Sequence, residues 1–218
     1  MEASLASPGG TISQVPALPP PPRLILASTS RYRRELLQRL RVPFDVVSPH
    51  VDETPLQGES PRALALRLAL AKAEAVAVLH PDAVVIGSDQ VCELDGQPIG
   101  KPGDHDRAVA QLRALSGRGA VFLTAVAVAC RASGFVQVDL APVRVVFRTL
   151  ADDEIERYLL LDQPYDCAGS AKSESLGIAL LSSIDSDDPT ALIGLPLIRT
   201  VRLLREAGLD VLRALNPA

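Results

Sequence analysis

The chain has 218 residues, 47% of them hydrophobic and only 3% aromatic, with a formal net charge of −4. Length fits one large domain with an ample core, and no uninterrupted apolar run approaches the ~20 residues a membrane span requires. The acidic balance argues against a broad nucleic-acid surface and leaves room for a small phosphorylated ligand in a local basic pocket. Cys92, Cys130 and Cys167 are odd in number and far apart. They make neither a disulfide framework nor a metal pair and read as reduced core residues of a cytoplasmic protein.

Residues 1–22 are rich in Gly, Ser and Pro and end in Pro19-Pro20-Pro21-Pro22. They read as a disordered tail with a stretch of polyproline II and not as a signal peptide; a start codon assigned too early explains them equally. A single domain is expected over residues 23–214, with 215–218 as its C-terminal end. Within it, 23–27 is expected to be a strand and 31–40 a helix, with Ser30 as N-cap and Leu36, Leu37 and Leu40 as its apolar stripe. Arg31, Arg33 and Arg34 in its first turn oppose the helix dipole, which prefers acids there. A bound anion would reverse that sign, because free N–H groups, the hydroxyls of Ser28 and Ser30 and forked guanidiniums make a phosphate cradle. A capped helix with a solvated basic end explains the same residues.

A second strand is expected over 44–48, then a loop, then a long helix opened by Ser60-Pro61 and running to Leu79. The apolar run 83–87 reads as a buried strand, followed by a hairpin about Asp95-Gly96. Asp104 caps a helix to Leu115. The segments 120–130 and 135–147, joined at Ser133-Gly134, suggest antiparallel ribbons, followed by a helix over 151–161 and a loop with Gly169 and Gly177. Pro196 opens the last helix, which ends before Gly208. The expected architecture is α/β, a mixed central sheet flanked by helices, with two lobes and a cleft between them.

Of the 22 basic residues only Lys72, Lys101 and Lys172 are lysines. Lys72 falls inside the apolar stripe of the long helix, where an ammonium needs a partner, a ligand or a snorkelling stem. Lys101 lies in Gly100-Lys101-Pro102, and Lys172 in a second loop of small residues. Asp89 follows a buried strand, at the kind of strand end where open α/β sheets place ligands. Asp52 and Glu53 follow the second strand, either as a solvated loop or as holders of a hydrated divalent cation. His50, His80 and His105 read as surface residues. No GxxxxGK[ST], GxGxxG or GxSxG pattern occurs, so phosphoryl or nucleotidyl chemistry without a covalent nucleophile fits best.

Seven segments in order resemble the Maf family of nucleotide pyrophosphatases, and more closely its 7-methyl-GTP branch. They are Leu-Ala-Ser-Thr-Ser-Arg-Tyr-Arg-Arg (26–34), Val-Asp-Glu-Thr-Pro (51–55), Ala-Lys-Ala (71–73), Gly-Ser-Asp-Gln (87–90), Gly-Lys-Pro (100–102), Cys-Ala-Gly-Ser-Ala-Lys-Ser-Glu (167–174) and Gly-Leu-Pro-Leu (194–197). The resemblance implies a fold similar to inosine triphosphate pyrophosphatases. It also implies hydrolysis of a nucleoside triphosphate to monophosphate and pyrophosphate, with Mg²⁺ or Mn²⁺ as cofactor. By it, Asp89 is the general base and Glu53 the metal ligand, while Ser28, Ser30, Arg33, Arg34, Lys72, Lys101 and Lys172 bind phosphates. Tyr32, Gln90 and Glu174 map to the positions that set substrate preference. A stacking Tyr32 and an anionic Glu174 both favour the positively charged N7-methylguanine. Ala171 stands where this branch commonly has an aromatic. The resemblance further implies a homodimer and leaves two alternatives: a nucleotide-binding regulator of septation, and a pyrophosphatase for other non-standard purine nucleotides.

Overall fold

The computed structural model describes residues 22–215; the expected tail, but for Pro22, and the chain past Leu215 lie outside the described residues. β1 (Leu24–Ala27) is buried throughout, as four consecutive apolar residues require when both faces of a sheet are covered. It pairs in parallel with β2 (Asp45–Val47) on one side and with β3 (Val84–Leu94) on the other. The crossovers run through α1 (Arg31–Gln38) and α2 (Pro61–Leu79), each capped by a serine: Ser30 Oγ accepts from the Arg33 N–H and Ser60 Oγ from the Ala63 N–H.

β3 then changes partners. Its last parallel rung sets Gly87 against Ala27, while its antiparallel ladder with β5 (Gly119–Cys130) runs from Val85 to Glu93. β5 pairs along its whole length with β6 (Phe135–Phe147), and β6 carries the short edge strand β7 (Leu181–Asp185). β4 (Gln97–Ile99) folds back on the end of β3, giving seven strands in the order β2-β1-β3-β5-β6-β7 with β4 beside β3. Three helices complete the fold: α3 (His105–Leu115), α4 (Asp152–Asp162) and α5 (Leu197–Glu206).

The period-2 alternation of β3 and β5 distributes the core. One face, with Val85, Val91, Leu123, Ala125 and Ala127, packs under α2. The opposite face carries two separate apolar clusters. Val84, Ile86, Val126 and Val128 pack against α1 and α5, whereas Cys92, Phe122 and Ala120 pack against α3 and α4. Between them the same face reads Ser88, Gln90 and Thr124, so a polar ribbon divides the two lobes while the backbone ladder runs through both. Gly87 permits the closest approach of α2: a Cβ there would lie 2.3 Å from the Ala69 carbonyl oxygen and 2.5 Å from the Ala73 nitrogen.

The mixed sheet and flanking helices agree with the sequence reading, with three differences. β3 is one unbroken strand where a strand, a loop and a hairpin arm were expected. Asp89 is therefore mid-strand, two residues past the point where the parallel partner ends, and not at a strand terminus. β7 and the single turns Ala168–Ser170, Leu176–Leu180 and Ala191–Ile193 form where the sequence suggests loop.

Candidate active site

A cleft of about 690 Å³ opens between the lobes, and its walls bring together Ser28, Ser30, Tyr32, Arg33, Glu53, Lys72, Asp89, Gln90, Lys101 and Glu174. The first wall is the start of α1. Ser28 Oγ accepts from the Ser30 N–H at 3.1 Å, which folds the segment entering the helix into a tight turn. The three arginines part ways because successive helical residues are rotated by roughly 100°. Arg31 stacks on the Tyr32 ring, 4.7 Å from its centroid, and donates to its hydroxyl at 2.7 Å. Arg33 faces the cleft and is anchored by Nε donating to the Gly194 carbonyl at 2.9 Å. Burial pushes its guanidinium pKa down, against the opposing pull of Asp89 and Glu53. Arg34 points elsewhere, into a shallow outer groove with Gln38, Arg41 and Phe44.

The second wall holds the charges. Lys72 is 4% exposed, and its ammonium lies 2.7 Å from Asp89 Oδ1 and 2.7 Å from Glu53 Oε1. The cation in the apolar stripe thus bridges two acids instead of snorkelling to water. Burial opposes the charge on Glu53, but the Lys72 hydrogen bond, with Lys101 and Arg33 nearby, holds its carboxyl below the usual range. Asp52 stays on the exposed loop, where its Oδ1 accepts from the Thr54 N–H at 2.9 Å. Lys101 reaches the cleft from the other lobe, beside Gly100.

Glu53 and Asp89 are the carboxylates at this end of the cleft, and among the described residues no group of three or more His, Cys, Asp or Glu is assembled. Two carboxylates suit Mg²⁺ or Mn²⁺, which complete an octahedral shell with water and phosphate, and are too few for a structural zinc site or a calcium cage. The donor set therefore fits a divalent cation brought together with phosphate.

The far end of the cleft is lined by Tyr32, Asp166, Cys167, Ala171 and Glu174. Gln90 Nε2 lies 2.9 Å from Thr124 Oγ1, 3.0 Å from the Ala191 oxygen and 2.9 Å from the Leu192 oxygen. Backbone carbonyls only accept, so the amide nitrogen must face them, and the amide oxygen is the group Gln90 can offer to a ligand. Thr124 and Ser88 hold the same turn, donating to the Ala191 oxygen at 2.9 Å and approaching the Gly194 oxygen at 3.1 Å. Partial loss of hydration, with the carboxylates of Asp162 and Asp166 adding to it, raises the Glu174 carboxyl above its ordinary range.

Lys172 does not join the cleft. Its ammonium turns back to the end of α4, donating to the Asp162 carbonyl at 2.9 Å, and its backbone N–H donates to the Tyr158 hydroxyl at 3.1 Å. A cation satisfying helix C-terminal carbonyls is structural. We therefore expect Arg34→Ala to leave turnover within about twofold, and Lys172→Met to lower the melting temperature more than the rate, at a stability loss of ~1–3 kcal/mol. A kinetic series with thermal melts checks both; a collapse of activity in Arg34→Ala would return that residue to the site.

Two other readings change. Cys167 lines the cleft and is not core, with burial pushing its thiol up to about 12, which leaves it protonated and a poor nucleophile. His105 is not a free surface residue: its ring bridges Glu156 Oε2 at 2.8 Å and the Tyr165 hydroxyl at 3.0 Å. Sequence reasoning missed Asp166, whose Oδ2 is 3.4 Å from the Tyr32 hydroxyl across the cleft mouth, and the Ala191–Gly194 turn. The one signal for the turn was the run of polar side chains on a single face of an apolar strand.

Comparison with known proteins matches residues 23–207 to the model of the Maf family, described as Maf-like protein. A 7-methyl-GTP pyrophosphatase of Polaromonas sp. is 65% identical over 206 residues, covering 94% of this chain and 94% of that protein. The protein of the same name from Albidiferax ferrireducens is 64% identical, over 88% of this chain and 96% of its own. That from Burkholderia thailandensis is 63% identical, over 86% and 88%. Among solved structures, the Staphylococcus aureus Ham1 protein aligns with a TM-score of 0.43 and 18% identity, over 60% of this chain and 72% of that one.

Proposed function

The chain belongs to the Maf family, and on that premise we propose that it is a nucleoside triphosphate pyrophosphatase that hydrolyses 7-methyl-GTP to 7-methyl-GMP and pyrophosphate. The observation that carries this reading is the pair of acids bridged at 2.7 Å by Lys72, in one cleft with the basic, hydroxyl-rich start of α1. A site that only bound nucleotide would have no use for two acids beside the phosphates.

In this reading Ser28, Ser30 and the free N–H groups of α1 receive the phosphate oxygens, with Arg33 and Lys101 supplying charge from opposite walls. Glu53 and Asp89 would hold a divalent cation, which when bound would supply charge neutralisation and a more acidic water. Asp89 orients that water toward the α-phosphorus and accepts its proton, helped by the stiffness of a mid-strand position. The bond to the β-phosphate bridging oxygen breaks, and Lys101 and Arg33 stabilise the charge that collects on the leaving pyrophosphate. At the far end, the Gln90 oxygen and Glu174 face the donor edge of a guanine, and Glu174 also offsets the positive charge of the methylated ring. We place the enzyme in the cytoplasm, in keeping with three unpaired thiols; among the described residues no helix is long and apolar enough to cross a membrane.

Pyrophosphate release by the purified chain with Mg²⁺ or Mn²⁺, compared across 7-methyl-GTP, GTP, ITP, dTTP and UTP, tests the proposal. Preference for 7-methyl-GTP supports it. Preference for ITP keeps the enzyme and discards the specificity, and binding without release points to a regulator. Glu174→Gln is expected to lower kcat/KM for 7-methyl-GTP by about tenfold with little change for GTP, since one charge–charge contact is removed. Because the Glu174 carboxyl titrates above the ordinary range, its charge is lost early as pH falls, and the preference for the methylated base should shrink in mild acid. Equal losses on both substrates in the variant would contradict its role.

A further inference from the structure

The cation between Glu53 and Asp89 belongs to the chain itself. Lys72 is nearly inaccessible, and both carboxylates meet its one ammonium nitrogen at 2.7 Å. These contacts have the length of charge-assisted N–H···O bonds, so one ammonium holds both carboxylates. The arrangement is thus an ammonium nest and not a preformed metal cage.

The charge balance at this end points the same way. Arg33, Lys72 and Lys101 face Glu53 and Asp89 across the cleft, an excess of one positive charge. A free divalent cation meets repulsion there and must also displace a buried ion pair, whose loss is costly when one partner is left unpaired. A triphosphate of about −4 charge reverses the balance and offers Lys72 other oxygens to bind.

We propose that Lys72 excludes metal from the free protein, so that the divalent cation is taken up only together with the nucleotide, when Lys72 transfers its hydrogen bonds from Glu53 and Asp89 to phosphate. Lys72 is then a positioning residue with two successive sets of partners. Metal and nucleotide become reciprocal effectors of each other's binding, with Lys72 as the element that couples them. The proposal rests on the pyrophosphatase reading for the nature of the ligand, but its first step concerns metal and protein alone.

Isothermal titration of the full chain with MnCl₂, without nucleotide, tests it. The wild type is expected to show no saturable binding below ~1 mM metal, whereas Lys72→Met, which leaves both carboxylates and removes their counter-ion, gains at least tenfold in affinity. Lys72→Arg keeps the charge and should remain blind to metal. Adding Glu53→Gln to Lys72→Met should abolish the gain, which ties it to this site. A melt run alongside reports folding, with Mn²⁺ raising the melting temperature of Lys72→Met and not that of the wild type; Lys72→Gln replaces the Met variant should that one not fold. Micromolar binding to the wild type, or equal affinity in wild type and the neutral variants, overturns the proposal. No arm measures hydrolysis, so a failed pyrophosphate assay and a failed titration remain distinguishable.

Discussion

Asp89→Asn is expected to lower kcat for pyrophosphate release by ~10³-fold while nucleotide affinity stays within about tenfold, the scale on which loss of a positioned carboxylate acts. The substitution keeps shape and hydrogen-bonding volume, so the strand should hold: Asp89 is paired across the sheet with Ala125, and its neighbours Ser88 and Gln90 anchor the opposite face. What changes is chemical. The amide cannot accept a proton from water, is a poor partner for a divalent cation, and leaves Lys72 with Glu53 as its remaining carboxylate. Single-turnover kinetics beside nucleotide titration separate the two quantities. Turnover near the wild-type value would remove Asp89 from the chemistry, and a parallel loss of affinity would make it a binding residue.

Gly87→Ala should be nearly as damaging without touching any group that meets substrate. The added methyl would lie 2.3 Å from the Ala69 oxygen and 2.5 Å from the Ala73 nitrogen, both backbone atoms of α2 that no rotamer change can withdraw. The helix must lift off the sheet. Overpacking against rigid partners costs about 3 kcal/mol, which for a domain of this size lowers Tm by roughly 6–12 °C. Lys72 sits on the same turn of α2, so the shift also pulls its ammonium off Asp89 and Glu53. Displacements of about 1 Å near reacting groups commonly cost ~10²-fold in rate. Calorimetry and kinetics on one preparation check both effects; a lowered Tm with undiminished kcat would show that the site tolerates the helix's position.

Much of this was legible in the residues, and the failures have physical causes. The serine caps of α1 and α2 and the anomaly of Lys72 in an apolar stripe are local patterns, and both were readable. The continuity of β3 was not. Gly87-Ser88-Asp89-Gln90 has the composition of a loop, and it stays extended because each residue meets a distant segment: α2 packs on the bare backbone of Gly87 and pairs with Asp89, and the Ala191–Gly194 turn takes Ser88 and Gln90. Such partners are invisible to a window of neighbours. Arg34 and Lys172 turn away from the cleft for a different reason. Each lies within a motif whose other members face the cleft, but on a helix the next residue points away, and in the tight loop held by Gly177 the Lys172 ammonium meets the end of α4 first. Membership of a motif does not fix direction.

The polar ribbon of Ser88, Gln90 and Thr124 parts two cores on one face of the sheet but leaves β3, β5 and β6 unbroken beneath both. A hinge between the lobes therefore has nowhere to sit: swinging one against the other would shear a continuous run of rungs. The floor of the cleft behaves as a rigid plate, and access to it must be governed by what hangs over the edges, the loops bearing Glu53, Lys101 and Asp166. Adaptation to a new base would then proceed by exchanging single side chains, Gln90 on the plate and Tyr32 and Glu174 at its rim, with the backbone of the plate and the acid it carries left untouched.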